Sequence, residues 1–402
     1  MSAPAERWDI FCRVVDNFGD VGVAWRLARQ VASEHGKDVR LWVDDLTVLA
    51  KLRPEVDVAY DVQRLEGVEV ACVREPFAAD EIADVVVETF GCDPPEAYVL
   101  AMAVREPRPR WINLEYLSAE DWVEGSHALP SPNPRLPLTK HFFFPGFTRK
   151  TGGLLREREL VSARQAFQGD RAATDAFWRS LAGRTPPHGA LKVSLFGYVD
   201  APFESLARAC ERYPGPVWLV APEGHAATAL AARAARRGRR TNDRDGGFRR
   251  ELEVLRVPFL AQDHYDQLLW ACDVNFVRGE DSFVRAQWAG RPFVWNVYPT
   301  EDGAHWVKMS AFLARYTANL DRAHAGAVTA LWEAWNRPAL AALEGAEALA
   351  GGEAPHPAIT QAWPAFVARL PALEAHARQW SGQLAAQRSL ADQLVDFVDN
   401  VL

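Results

Sequence analysis

Asn275-Phe-Val-Arg-Gly-Glu-Asp-Ser-Phe-Val-Arg-Ala-Gln-Trp-Ala-Gly-Arg-Pro-Phe-Val-Trp295 reads as strand, polar turn, helix, glycine stop and second strand. Residues 273–277 are an apolar run of strand formers, and Arg278 and Gly279 make the turn. Residues 282–289 carry helical spacing that Gly290 and Pro292 end. The first N–H groups of such a helix lack intrahelical partners and point beyond the ends of the strands, where a phosphate is the usual occupant. Arg278 adds a fork-shaped cation beside them. An ordinary αβ corner, with Glu280 and Asp281 merely complementing the helix dipole and capping its first turn, explains the same string. The rest of the chain has to decide between them.

Outward from this corner the same rhythm recurs. Strand candidates fall at 8–14, 39–43, 68–72, 84–90 and 110–114, with helical patterns such as 24–32 between several of them. The series restarts at 191–196 and continues through 217–220, 252–258, 273–277 and 292–297. Strands alternating with helices mean a parallel sheet covered on its faces, so the expectation is α/β with two Rossmann-like domains. A Pro-rich aromatic stretch over 129–147, a helix over 156–181 and the breaker run 183–189 separate them. The expected domains are therefore 1–184 and 185–370. Helical periodicity over 363–402, with Leu370, Leu373, Leu384, Leu390, Leu394 and Val398, makes 371–402 a helical tail expected to brace back on the first domain.

Composition narrows the partners. The 402 residues are 49% hydrophobic and 24% charged, an ordinary globular balance, with a formal charge of -8. That charge, with a pI near 5.8, excludes a dedicated nucleic-acid binder with a basic face. The one biased segment, Arg236 to Arg250, is arginine- and glycine-rich but poor in stacking aromatics, and reads as a solvated loop. Cys12, Cys72, Cys92, Cys210 and Cys272 are widely spaced, with no Cys-x-x-Cys pair. Neither a disulfide framework nor a zinc site is expected. With no leader pattern and no apolar run of spanning length, the expectation is a cytoplasmic protein with no membrane association.

Two groups of residues carry chemistry. The loop after the first strand, Arg13-Val-Val-Asp-Asn-Phe-Gly-Asp-Val-Gly22, lacks the glycines of a dinucleotide fingerprint and offers Asp16 and Asp20. Asp20 suits a helix N-cap, but Asp16, Asn17 and Asp20 together exceed what one cap needs, which points to a cationic or proton-donating substrate group. Asn113 near the end of the strand at 110–114, with Glu115 and Ser118 beyond it, extends the same rim. In the second domain Phe196, Tyr198 and Phe259 offer a stacking face for a base, or simply core area, and Gln262 offers an amide contact. His141, His264 and His305 show no metal-binding spacing, so no metal is expected.

Three stretches carry a family resemblance: residues 15–25, residues 259–262 with 265–273, and residues 276–295, of which Arg278-Gly-Glu-Asp-Ser-Phe283 is the most specific. Together they resemble the protein-arginine rhamnosyltransferase family EarP, which modifies translation elongation factor P. The resemblance implies a GT-B fold with two Rossmann-like domains facing a central cleft, dTDP-β-L-rhamnose as donor, and one arginine of the folded factor as acceptor. It implies inversion at the anomeric carbon, with neither metal nor further cofactor. By motif, Asp16 and Asp20 become acceptor-side carboxylates and Glu280 the donor-side acid. Arg278, Asp281 and Ser282 become part of the diphosphate cradle, while Tyr198, Phe259, Gln262 and Tyr298 meet the donor. A GT-B enzyme with another nucleotide sugar or acceptor, a nucleotide-sugar epimerase, and a nonenzymatic nucleotide-sugar-binding adaptor remain the alternatives.

Overall fold

Central parallel strands buried on both faces build each half of the molecule. The computed structural model describes residues 6–402 apart from 17, 78, 80, 239–251, 301 and 344–356. The expected surface loop therefore lies outside the described residues from Arg239 onward. By its contacts the chain divides into unit 1, Met1–Leu160 with Gln383–Leu402, and unit 2, Val161–Gly382.

Unit 1 begins with β1 (Arg7–Cys12), α1 (Phe18–His35), β2 (Asp38–Val43), α2 (Leu46–Leu52), β3 (Val62–Leu65) and β4 (Val68–Cys72). It continues with β5 (Val85–Thr89), α3 (Glu96–Val104), β6 (Arg110–Leu114), α4 (Val123–Ser126), β7 (Pro130–Pro132) and β8 (Thr139–Phe143). The strands form one eight-stranded sheet in the order β3-β4-β2-β1-β5-β6-β8-β7. Its centre is parallel, and only β3 and β7 run antiparallel to their neighbours. The Pro-rich stretch read as a connection thus contributes two strands. Pro130 and Pro132 are tolerated because β7 is an edge, where a missing N–H breaks no ladder on the outer side.

The helix expected over 156–181 is two, α5 (Leu160–Gly169) and α6 (Arg171–Ala182). Asp170 separates them, its carboxylate accepting from Ala172 N and Ala173 N as an N-cap. Unit 2 continues with β9 (Leu191–Leu195), α7 (Phe203–Cys210), β10 (Val217–Pro222), α8 (His225–Gly238), β11 (Leu252–Val257) and α9 (Gln262–Ala271). Then come β12 (Val274–Arg278), α10 (Asp281–Ala289), β13 (Phe293–Asn296), α11 (Ala304–Thr317), α12 (Arg322–Leu343), α13 (Pro357–Val367) and α14 (Leu370–Ala385), after which α15 (Leu390–Asn400) belongs to unit 1 again. The five-stranded sheet has the order β11-β10-β9-β12-β13, with every pair parallel.

The division by contacts falls at 160/161, where the sequence placed it at 184/185, because α5 and α6 pack on the second sheet. Gln168 Nε2 donates to the carbonyls of Trp270 and Ala289, each at 3.1 Å. The rings of Trp178 and Trp218 meet edge to face at 5.7 Å in a core with Phe177, Val220, Val257 and Leu268. At the other end the division falls at 382/383 and not 370/371. Trp380 Nε1 on α14 donates to Gln287 Oε1 at 3.0 Å inside unit 2, while Leu390 N donates to Leu154 O at 2.9 Å inside unit 1.

Strand order locates the sites. In unit 2 the chain moves outward from β9 to one side through β10 and β11, then returns to the other side with β12 and β13. The connections leaving β9 and β12 therefore diverge and open a crevice at the C-terminal ends of these two strands, the usual ligand position in such sheets. In unit 1 the equivalent reversal lies between β1 and β5.

Candidate functional site

At the unit 1 crevice the β1–α1 loop is held by carboxylates. Asp20 lies in the first turn of α1, beyond the N-cap position expected for it, because the helix begins at Phe18. Its Oδ2 reaches back to accept from Val15 N at 2.9 Å and Asp16 N at 2.7 Å. Asp44, at the end of β2, accepts from Val14 N at 2.9 Å. The Tyr116 hydroxyl, on the chain leaving β6, donates to Asp20 Oδ1 at 3.3 Å. Asp20 is 1% exposed. Burial raises its carboxyl above the usual aspartate range, while the Asp16 and Val15 amides and Tyr116 pull it back and the charge of Asp44 adds to the rise.

Asn113 and Ser118 lie beneath the rim. Asn113 is buried, accepting from Gly91 N at 3.0 Å and donating to Glu115 Oε1 at 2.6 Å. Ser118 Oγ donates to Glu120 Oε2 at 2.9 Å and accepts from Glu120 N at 3.1 Å, closing a local turn. Asn17 lies outside the described residues. The sequence reading passed over Phe90, Tyr116 and Asp44. The carboxylate of Asp44 was legible only as a polar strand end, and nothing in the sequence paired the two rings.

At the unit 2 crevice β12 ends in Arg278, and Gly279 turns the chain with φ +62°, a conformation that favours glycine. Trp295 Nε1 donates to Gly279 O at 2.8 Å and locks the turn. The ladder of α10 begins where Val284 N donates to Glu280 O, so the amides of Asp281, Ser282 and Phe283 precede it. Glu280 occupies the N-cap position without making a side-chain cap bond.

The Arg278 guanidinium lies over two rings, 4.6 Å from Phe196 and 4.7 Å from Tyr198. These rings, read from sequence as a stacking face for a base, support the cation. Tyr198 also meets Tyr298 edge to face at 5.5 Å, and Tyr298 remains 45% exposed. Gln262, the first residue of α9, donates to Asp281 Oδ2 at 3.1 Å and ties the starts of α9 and α10 together. The Ser282 hydroxyl is engaged with the backbone of Arg278, accepting from its N–H at 3.1 Å and donating to its carbonyl. It shapes the strand-to-helix turn from within. Phe259 sits half-buried between β11 and α9.

A buried ion pair sets the angle of this corner. Arg285 on α10 makes bonds of 2.9 and 2.6 Å to the two oxygens of Asp266 on α9. His305 belongs to the scaffold too, its Nδ1 accepting from Thr300 N at 3.0 Å, and burial lowers its pKa. Among the described residues no group of three or more His, Cys, Asp or Glu side chains is placed to hold a metal ion, and no helix is long and apolar enough to cross a membrane.

The chain resembles known proteins over nearly its whole length. The protein-arginine rhamnosyltransferase of Pseudomonas putida KT2440 is 45% identical over 395 residues, covering 98% of this chain and 99% of its own. The solved structure described as the structural basis for EarP-mediated arginine glycosylation of translation elongation factor EF-P is 34% identical, with a TM-score of 0.63 over 98% of this chain and 99% of that one. A glycosyltransferase from Rickettsia africae is only 6% identical, yet matches with a TM-score of 0.53 over 99% of both chains, a likeness of fold alone. The fold class is α/β of the GT-B glycosyltransferase type, with two Rossmann-like units. The family model described as elongation-factor P (EF-P) rhamnosyltransferase EarP matches residues 8–399, and the chain belongs to that family.

Proposed function

We propose that this chain transfers L-rhamnose from dTDP-β-L-rhamnose to an arginine side chain of EF-P, with inversion at the anomeric carbon. Unit 1 takes the acceptor and unit 2 the donor. The observation that carries the reading is Asp20, a buried carboxylate held by two backbone amides and a tyrosine hydroxyl at the crevice of the first sheet. Family membership supports the reading, since an arginine acceptor presents a cation to such a group.

The acceptor sets the energetic problem. A guanidinium near pKa 12.5 and an aspartate near 3.9 differ by roughly 9 units, so complete proton transfer before reaction would cost about 12 kcal/mol. A turnover near about 1 s⁻¹ corresponds to a total barrier of roughly 17 kcal/mol, most of which early deprotonation would consume. Asp20 therefore orients the guanidinium and takes its proton as the C–N bond forms and the bond from the anomeric carbon to the dTDP oxygen breaks. Its raised pKa narrows the gap, because a more basic carboxylate accepts that proton more readily. Asp16 supplies a second negative charge on the same loop.

On the donor side, charge grows on the departing diphosphate. Arg278, held flat by Phe196 and Tyr198, and the amides that start α10 stabilise that charge from fixed positions. Tyr198, Phe259, Gln262 and Tyr298 bound the nucleotide, and Asp281 and Ser282 hold the turn that presents the cradle. Glu280 binds sugar or ribose hydroxyls, since its charge opposes a role at the phosphate. No metal enters the scheme.

Intact-mass measurement of EF-P incubated with the protein and dTDP-rhamnose tests the reading. The expected result is a gain of one deoxyhexose, abolished when the modified arginine is replaced by lysine. Transfer from a different nucleotide sugar in preference, or donor binding with no transfer, would select one of the other readings.

A further inference from the structure

A strained aromatic residue stacks on the tyrosine whose hydroxyl donates to Asp20. Thr89 ends β5, and Cys92 N donates back to Thr89 O at 3.2 Å, closing a four-residue turn. Its two central residues, Phe90 and Gly91, have φ of +60° and +63°. Positive φ at both central positions is the pattern of a type I′ turn, which favours glycine, asparagine and aspartate. A phenylalanine there is an outlier that the surroundings must hold in place. Three bonds do so. Phe90 N donates to Leu114 O at 2.7 Å, Gly91 N to Asn113 Oδ1 at 3.0 Å, and Thr89 Oγ1 to Phe11 O at 2.9 Å.

The consequence of that backbone is a stacked pair. The Phe90 and Tyr116 rings lie 4.2 Å apart at 12°, and Tyr116 is 37% exposed. The same tyrosine hydroxyl donates to Asp20 Oδ1. One exposed aromatic surface and one buried carboxylate are thus joined at the crevice between β1 and β5. A planar cation is the ligand that uses both, stacking on a ring while donating in-plane N–H bonds to a carboxylate. Unit 2 shows the stacking half of this chemistry within the same chain, in Arg278 over Phe196 and Tyr198.

We propose that Phe90 and Tyr116 form an aromatic platform on which the guanidinium of the acceptor arginine stacks while Asp20 receives its N–H groups. The proposal rests on the acceptor reading of unit 1 given above. The Tyr116 hydroxyl orients Asp20, the ring carries the cation, and Phe90 fixes the angle of that ring. Asn113 acts beneath them as a positioning residue through Gly91.

Calorimetric binding of unmodified EF-P and of dTDP to the full chain tests this with three variants. Tyr116→Ala removes the ring, Tyr116→Phe removes only the hydroxyl, and Phe90→Gly removes a ring at a position whose backbone favours glycine, with thermal melts of each variant confirming the fold. Tyr116→Ala and Phe90→Gly are expected to weaken EF-P binding about three- to thirtyfold, with dTDP binding unchanged and Tyr116→Phe weakening EF-P binding less than Tyr116→Ala. Against EF-P whose modified arginine is replaced by alanine, the penalties in Tyr116→Ala and Phe90→Gly should disappear. Unchanged EF-P affinity in both variants, or the same penalty against the alanine-substituted factor, overturns the platform. A parent chain that transfers no rhamnose overturns the functional reading instead, so the two failures are distinct.

Discussion

The catalytic role proposed for Asp20 runs against what its burial does for stability. Its folded-state pKa is raised, so the folded protein holds that proton more tightly than the unfolded chain does. The stabilisation from the neutral carboxyl is fully present below the unfolded value of about 3.9 and is lost as pH rises through the folded value. At neutral pH the ionised, buried group therefore costs stability. Asp20→Asn keeps an acceptor for Val15 N and Asp16 N and removes the charge. It is expected to lower transfer by about 10²-fold or more, leave dTDP affinity unchanged, and raise the thermal midpoint at pH 7, with that gain shrinking as the pH falls towards 4. Paired turnover and thermal melts across pH check all three, and normal transfer would return Asp20 to a purely structural role. On the donor side, Arg278→Ala is expected to weaken dTDP binding by about 10- to 150-fold, the equivalent of a charge-assisted contact. Ser282→Ala should cost only about fivefold, because its hydroxyl acts through the Arg278 backbone. Equal affinities for dTDP in the parent and both variants would remove the cradle.

The α9–α10 corner shows how an element is aimed at a ligand. Both helices begin at the C-terminal end of the sheet, and Gln262 with Asp281 and Asp266 with Arg285 bind them at two levels. The Asp266–Arg285 pair is almost fully buried, with side chains 5% and 1% exposed. Removing one partner deletes two charge-assisted bonds inside a buried corner, so Asp266→Ala is expected to destabilise unit 2 by about 3 to 5 kcal/mol in chemical denaturation. Replacing both by apolar residues of similar volume should recover much of the loss, and a single variant as stable as the parent would show the pair to be dispensable. The periodicity that placed α10 in the sequence described its apolar face and its Gly290 stop. It was silent about this pair, since Asp266 and Arg285 lie 19 residues apart and are joined only by helix packing. Likewise the helix expected over 156–181 looked continuous because its apolar spacing persists across Asp170, whose capping bonds form only where the chain bends.

For the whole molecule, the proposed diphosphate cradle draws its positive potential from Arg278 and helix-start amides, so transfer is expected to persist in excess EDTA. Loss of activity in a still-folded protein, restored by Mg²⁺ or Mn²⁺, would instead make Asp16, Asp20, Glu280 and Asp281 candidate ligands. Much of this architecture was readable from local pattern. Strands at 110–114 and 191–195, the helix after Arg278 and the doubling of the parallel rhythm follow from apolar period, glycine placement and proline exclusion. These depend on residues close in the chain, and so does the motif string that marks the family. Strand order does not, and with it went the position of each crevice, the use of the 129–147 stretch as β7 and β8, and the contact boundary at 160/161. The sequence by itself determined an acidic α/β protein of two Rossmann-like units with Asp16, Asp20 and the Arg278–Ser282 turn at strand ends. Only the tertiary structure decided that Phe196 and Tyr198 support Arg278, that Ser282 faces inward, and that Phe90 and Tyr116 meet beside Asp20. The physical reason is that stacking and buried hydrogen bonds join residues tens of positions apart, whose proximity is set by sheet topology and has no local signature.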